Sequence, residues 1–123
     1  MKIKVLDENF VICKVKNFFD VSLDKEYIFT AKTKEENSIL CKEEDIPPNT
    51  INIEKGWKGL VIEGELDFSL VGIIAEISNI LAKIKVSVFV ISTFNTDYIF
   101  IKEESLNKTI LELEDNGYEI SKK

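Results

Sequence analysis

The stretch Val88–Leu106, VFVISTFNTDYIFIKEESL, decides the fold, because Ile28–Ile46, sixty residues earlier, reads IFTAKTKEENSILCKEEDI. Aligned without a gap, the two share Phe29/Phe89, Thr33/Thr93, Ile39/Ile99, and Lys42-Glu43-Glu44 against Lys102-Glu103-Glu104. Each copy runs from an apolar strand through a polar turn to a second apolar strand. An acidic exit follows, ending in an aliphatic residue. The spacing is half the chain, so two related halves are expected, stacked as a pseudo-symmetric pair. A seam between such halves is a natural place to hold a small ligand.

Outward from Val88, the carboxy-terminal half reads clearly. Trp57–Ile62 is a short strand, and Glu63–Asp67 a turn with Gly64 free to take unusual backbone angles. A helix is expected from Phe68 to Ile84. Leu70, Ile73, Ile74, Ile77, Leu81 and Ile84 fall at the i, i+3, i+4 spacing of one buried stripe. Asp67 or Ser69 can cap it. Val86–Ser92 is a strand, Thr93–Asp97 turns, and Tyr98–Lys102 returns. Ser105 is expected to cap a second helix, Leu106–Asn116, which Gly117 ends in a left-handed residue. Tyr118–Ile120 is the last strand. The order β-α-β-β-α-β predicts an α+β fold of ferredoxin-like plan.

The amino-terminal half is β-rich. Ile3–Leu6, Phe10–Val15, Glu26–Thr33 and Ser38–Lys42 read as strands, and Phe18–Leu23 as a single helical turn. Ile46-Pro47-Pro48-Asn49 is a linker candidate. The boundary falls near residue 55, giving a degenerate half at 1–55 and a complete one at 56–123.

Composition narrows the function. At 123 residues the chain suits one compact unit or two small subdomains, and 45% apolar residues with mixed charge belong to a globular protein. No apolar run approaches the ~18 residues that cross a bilayer. The opening MKIKVLDENF is broken by Lys4, Asp7 and Glu8, so it is no signal peptide and a cytoplasmic protein is expected. The chain has no histidine, arginine or glutamine, which removes the commonest proton shuttle and bidentate anion clamping. A net charge of −6, with sixteen lysines scattered among acids, argues against nucleic acid and acidic membranes as partners. Cys13 and Cys41 form no CxxC motif and read as buried thiols, so no metal and no cofactor is expected. An enzyme would lack a base for Cys41, and the adjacent Glu103 and Glu104 point to opposite faces of a strand.

The stretch Leu66–Leu106, LDFSLVGIIAEISNILAKIKVSVFVISTFNTDYIFIKEESL, resembles the ACT domain, in the form of small tandem-ACT proteins related to CASTOR-type amino-acid sensors. The matching elements are D-F-x-x-x-G-I at Asp67–Ile73, I-S-T-F-N-T-D at Ile91–Asp97, and G-W-x-x-L at Gly56–Leu60. The likeness covers residues 56–120 well and 1–55 in outline. It implies regulation rather than catalysis, with an amino acid bound between two domains and a homodimer or a partner enzyme. Carried over residue by residue, the strand-to-helix turn would contribute Asp67, Phe68, Ser69 and Gly72. The strand end would contribute Ser92, Thr93, Phe94, Asn95 and Asp97.

The chemistry is compatible. Free amides at the helix start suit a ligand carboxylate, Asp97 an ammonium, and Thr93 and Asn95 offer short polar groups. Each residue also has a plainer use. Gly72 would allow close packing, Asp67 would be a helix cap, and Asn95-Thr96-Asp97 would make a hairpin turn without any ligand. A basic ligand would need a second buried acid, and Phe68–Ala75 holds none. Phe68, Leu70, Phe94 and Phe100 suggest an apolar pocket for a neutral, aliphatic amino acid. The competing reading is a protein-interaction or structural scaffold without a ligand.

Overall fold

The computed structural model describes residues 1–63 and 72–122. Along the chain come β1 (Lys2–Val5), β2 (Phe10–Val15), β3 (Phe29–Lys32), β4 (Asn37–Lys42), β5 (Thr50–Ile62), α1 (Ile73–Lys83), β6 (Phe89–Ser92), β7 (Asp97–Lys102), α2 (Leu106–Asp115) and β8 (Glu119–Lys122). The two similar stretches take the same shape at the same offset. In β3–β4, Phe29 faces Leu40 and Lys32 faces Asn37; in β6–β7, Phe89 faces Phe100 and Ser92 faces Asp97. Both hairpins run on into a 3-10 turn, at Glu43–Asp45 and Glu103–Ser105.

The chain divides into two compact units, Glu8–Trp57 and Met1–Asp7 with Lys58–Lys123. In the first, the antiparallel strands lie in the order β3-β4-β2-β5. That is a ferredoxin-like order with its helices missing. Residues 16–28 stand where the first helix would be, and the expected turn at Phe18–Leu23 shrinks to isolated turns such as Val21 N–H to the Phe18 carbonyl (3.1 Å). The Asn17 side chain supplies the reason, because its Oδ1 takes the Phe19 N–H (3.1 Å) and so competes with helical bonding.

This irregular segment still covers the sheet. Phe18, Val21, Ile28 and Ile46 pack on Val11, Cys13, Val15, Ile39 and Cys41. Lys25 fastens it through a 2.9 Å ion pair to the buried Asp45 carboxylate. Both cysteines are free and buried, and burial pushes the Cys41 thiol up to about 12. They are filler, not nucleophiles.

Strand β5 departs from the expected linker and short strand. It is thirteen residues long and starts at Thr50, directly after a turn in which Thr50 N–H meets the Pro47 carbonyl (3.3 Å). Between the Phe10–Trp57 and Ile12–Glu54 pairs, one residue of β2 faces two of β5. Gly56 sits in this bulge at φ 83°, an angle that favours glycine.

The second unit holds β6-β7-β5-β1-β8, with helices α1 and α2. Elements β5 to β8 give the expected β-α-β-β-α-β order. β1 adds a fifth strand, antiparallel to β5 and parallel to β8. The core joins Ile3, Val5, Leu60, Ile62, Ile99 and Ile101 of the strands to Ile77, Ile80, Leu81, Ile110 and Leu113 of the helices. Among the described residues, no helix is long and apolar enough to cross a membrane.

Two expectations about helix ends need correction. Ser105 makes no capping bond with its side chain, because it ends the 3-10 turn in a helical conformation rather than the extended one a cap requires. α1 begins at Ile73, not Phe68, since Gly72 caps it in a left-handed conformation. Gly117 does end α2, with Tyr118 N–H on the Leu113 carbonyl and Gly117 N–H on Glu114 (both 3.0 Å). α1 closes in the same way, Val86 N–H on Leu81 and Lys85 N–H on Ala82 (both 3.0 Å), but with Lys85 at φ 60° in the glycine position.

Tyr118 ties this end of α2 to α1, its hydroxyl donating to Glu76 Oε1 at 2.5 Å. Burial, then the Glu76 bond and charge, push its phenol up to about 12.

Two outcomes follow from these contacts. Relief of the left-handed strain at Lys85, less the added chain entropy of glycine, makes Lys85→Gly more stable by about 0.5–1 kcal/mol in urea unfolding. Tyr118 favours the folded state while its phenol is neutral, so its contribution is complete below pH ~10 and lost towards about 12. Stability measured across that window should fall less steeply in Tyr118→Phe than in the parent.

Candidate ligand site

The expected strand-end residues sit on the β6–β7 hairpin. Ser92 and Asp97 are directly opposed, and Ser92 Oγ donates to Asp97 Oδ1 at 2.5 Å. Thr93 closes the turn: its N–H and hydroxyl both donate to the Thr96 carbonyl (2.8 and 2.9 Å). Its Oγ1 in turn accepts the Thr96 N–H at 3.2 Å. Thr33 repeats this sixty residues earlier, with its N–H on the Glu36 carbonyl (2.9 Å) and its Oγ1 taking the Glu36 N–H (3.2 Å). Phe94 and Asn95 form the exposed tip, and Phe94 leaves 81% of its surface in solvent.

One bond anchors the tip. Thr96 Oγ1 donates to the carbonyl of Ile62, the last residue of β5, at 2.8 Å. The next residue, Glu63, gives its N–H to the Lys2 carbonyl (3.0 Å) and accepts from Ser121 Oγ at Oε1 (2.6 Å). The hairpin turn is thus held at the end of β5 from which the chain leaves for α1.

Gly72 stands at the far side of that connection. Its φ of 83° explains the glycine, while a Cβ there would meet nothing within 4 Å. Close packing of protein atoms therefore does not account for it. Its carbonyl accepts the Glu76 N–H at 2.8 Å, and no side chain caps the helix. Asp67, Phe68 and Ser69 lie outside the described residues, as does Leu70. Phe100, expected on a pocket wall, is fully buried and stacks on Tyr98 at 6.4 Å between ring centroids. It belongs to the core because its strand lies inside the sheet.

The arrangement therefore offers one compact polar turn: a carboxylate partly engaged by Ser92, two threonine hydroxyls and an exposed phenyl ring. Among the described residues, no group of three or more Cys, Asp or Glu could hold a metal ion. Thr96 is the functional candidate that pattern reading missed. Its partner is a backbone carbonyl thirty-four residues away, which leaves no mark on local sequence.

Residues 52–115 match the family profile described as the ACT domain. No curated protein matches the chain. Among solved structures it is similar to protein Atu0741 from Agobacterium tumefaciens, with a TM-score of 0.82 at 23% identity over 99% of this chain and 92% of that one. A domain described as a C-terminal regulatory domain of aspartate kinase from Porphyromonas gingivalis gives 0.58 at 17%, over 92% of each. Aspartate kinase of Clostridium acetobutylicum, called an allosteric enzyme, gives 0.64 at 9%, over 88% of this chain and 33% of that one. These likenesses are likenesses of fold.

Replacing Thr96 by valine keeps the shape but strips a hydrogen bond from a half-buried carbonyl. We expect a loss of about 1–2 kcal/mol by urea unfolding, against about 0.5 kcal/mol or less for Phe94→Ser at the exposed tip.

Proposed function

The chain belongs to the ACT domain family, and from that premise we propose that it is a non-catalytic regulatory module that binds a small molecule, a neutral amino acid being the favoured ligand. The observation that carries this reading is the Thr96–Ile62 bond, which holds the Ser92–Asp97 turn beside the start of the connection to α1. ACT domains are regulatory ligand-binding modules, and those two segments are where the family resemblance puts ligand contacts. Asp97 supplies an acceptor for an ammonium, although Ser92 already engages one of its oxygens. The lack of histidine and arginine supports regulation over catalysis. We read the protein as cytoplasmic, working as a homodimer or on a partner enzyme and needing no cofactor.

We also read the 8–57 unit as a degenerate ACT-like repeat, the tandem form to which the CASTOR-type resemblance points. Its support is the sixty-residue correspondence of the hairpins, down to the threonine that closes each turn.

That correspondence also favours a second reading. Thr33 and Thr93 make the same turn, so Thr93 is fully explained as hairpin architecture. The protein would then be a scaffold that docks on another protein without a ligand.

A thermal-shift screen of the twenty amino acids at millimolar concentration separates the two. A ligand at about one hundred times its dissociation constant adds ~2.7 kcal/mol and moves the midpoint by several degrees. The regulatory reading expects a shift with one or a few neutral aliphatic amino acids, and its loss in Asp97→Ala relative to that variant's own baseline. A flat response to all twenty would leave the scaffold reading.

A further inference from the structure

Asn116-Gly117 is the one Asn-Gly pair in the chain, and both residues are exposed where α2 ends. An asparagine side chain reacts most readily with the backbone of a following glycine, because glycine has no Cβ to shield its amide nitrogen. Here the fold holds the two groups apart. Ring closure needs the Gly117 nitrogen turned towards Asn116 Cβ, whereas Asn116 stands at φ −98° and ψ 14°, with that nitrogen swung away. The Asn116 side-chain amide donates to the Glu112 carbonyl at 2.8 Å and lies 3.4 Å from Glu112 Oε2. The Gly117 N–H, which must lose its proton, donates to the Glu114 carbonyl at 3.0 Å. Tyr118 secures the same turn, with its N–H on the Leu113 carbonyl and its hydroxyl on Glu76 of α1.

We propose that Asn116 is a site of spontaneous deamidation, gated by fraying of the last turn of α2, with water as the only co-reactant. The Gly117 nitrogen gives up its proton and attacks Asn116 Cγ. The new N–Cγ bond closes a five-membered succinimide, the Cγ–Nδ2 bond breaks, and ammonia leaves with the proton. Water then opens the ring. Cleavage of the N–Cγ bond gives aspartate, and cleavage of the original peptide bond gives isoaspartate, whose backbone runs through Cβ. Either product puts a carboxylate at the carbonyl end of a helix with no basic residue in its last turn, four residues on from Glu112. Isoaspartate also lengthens the backbone by a carbon just ahead of β8, whose first residue, Glu119, donates its N–H to the Met1 carbonyl at 3.1 Å. The modification therefore loosens the join of α2, β8 and β1. It does not depend on what binds at the β6–β7 hairpin.

The test is to age the whole chain in mildly alkaline buffer beside the same chain unfolded in guanidinium chloride. Peptide mapping by mass spectrometry, with isoaspartate-specific methylation, follows each asparagine. Asn116 is expected to convert first in both samples, about tenfold or more slowly in the folded chain. Tyr118→Phe, which removes the bond to Glu76 but keeps the ring, should raise the folded rate severalfold and leave the unfolded rate unchanged. Equal rates in the folded and unfolded chains would overturn the proposal, since no gate would then exist. So would an Asn116 that stays intact in the folded chain after the unfolded one has reacted fully, another asparagine converting first, or a folded rate untouched by Tyr118→Phe.

Discussion

Backbone hydrogen bonding along β5 is the constraint on which the rest depends. Its first residues pair with β2, and its last with β1 and β7. Each unit therefore takes its register from a part of one strand, and a slip of one residue would turn every apolar side chain of that sheet to the wrong face. Gly56 absorbs the irregularity between the Phe10 and Ile12 pairs, so that Phe10 and Trp57 remain partners although the spacing changes beside them; a second shift falls between Lys14 and Val15.

The two units meet the same requirement by different means. A sheet face must be covered. In the second unit, Ile77, Leu81 and Leu113 do this from helices whose own backbone is satisfied internally. In the first, side chains of an irregular segment do it, pinned by the Lys25–Asp45 pair. The corresponding strand positions reflect the difference. Cys41 stands where the second hairpin has Ile101, a smaller residue beneath a thinner cover.

Local patterns were legible wherever the partners are near in sequence. β2, the hairpin turn at Thr93–Asp97, the stripe of α1 from Ile73 onward and the Gly117 stop all follow from spacing and turn chemistry. What could not be read depends on distant partners. Pro47-Pro48 suggested a break, but a strand can begin at once after them when β2 is there to pair with Thr50. Phe100 read as a pocket wall because alternation says which face it takes, not what covers that face. Of the site, the residues of one hairpin were legible, whereas the bond that fixes the hairpin to β5 was not. At Gly72 the left-handed conformation at the helix start, rather than close packing, accounts for the glycine, and a backbone angle leaves no mark on hydrophobic spacing.

The parallel pairing of β1 with β8 sets Lys2 beside Glu119 and Val5 beside Lys122. β1 thus takes both of its partners, β5 and β8, from residues far from it in sequence. The Glu8–Trp57 unit draws its strand pairings from its own residues, whereas β1 has an unpaired edge until β5 and β8 reach it. Closing the second sheet is a long-range event, with more chain to bring together than either hairpin needs. Until then a short strand that carries Ile3 and Val5 is open to any other edge it meets, so association of unfolded chains bears most heavily on this one segment.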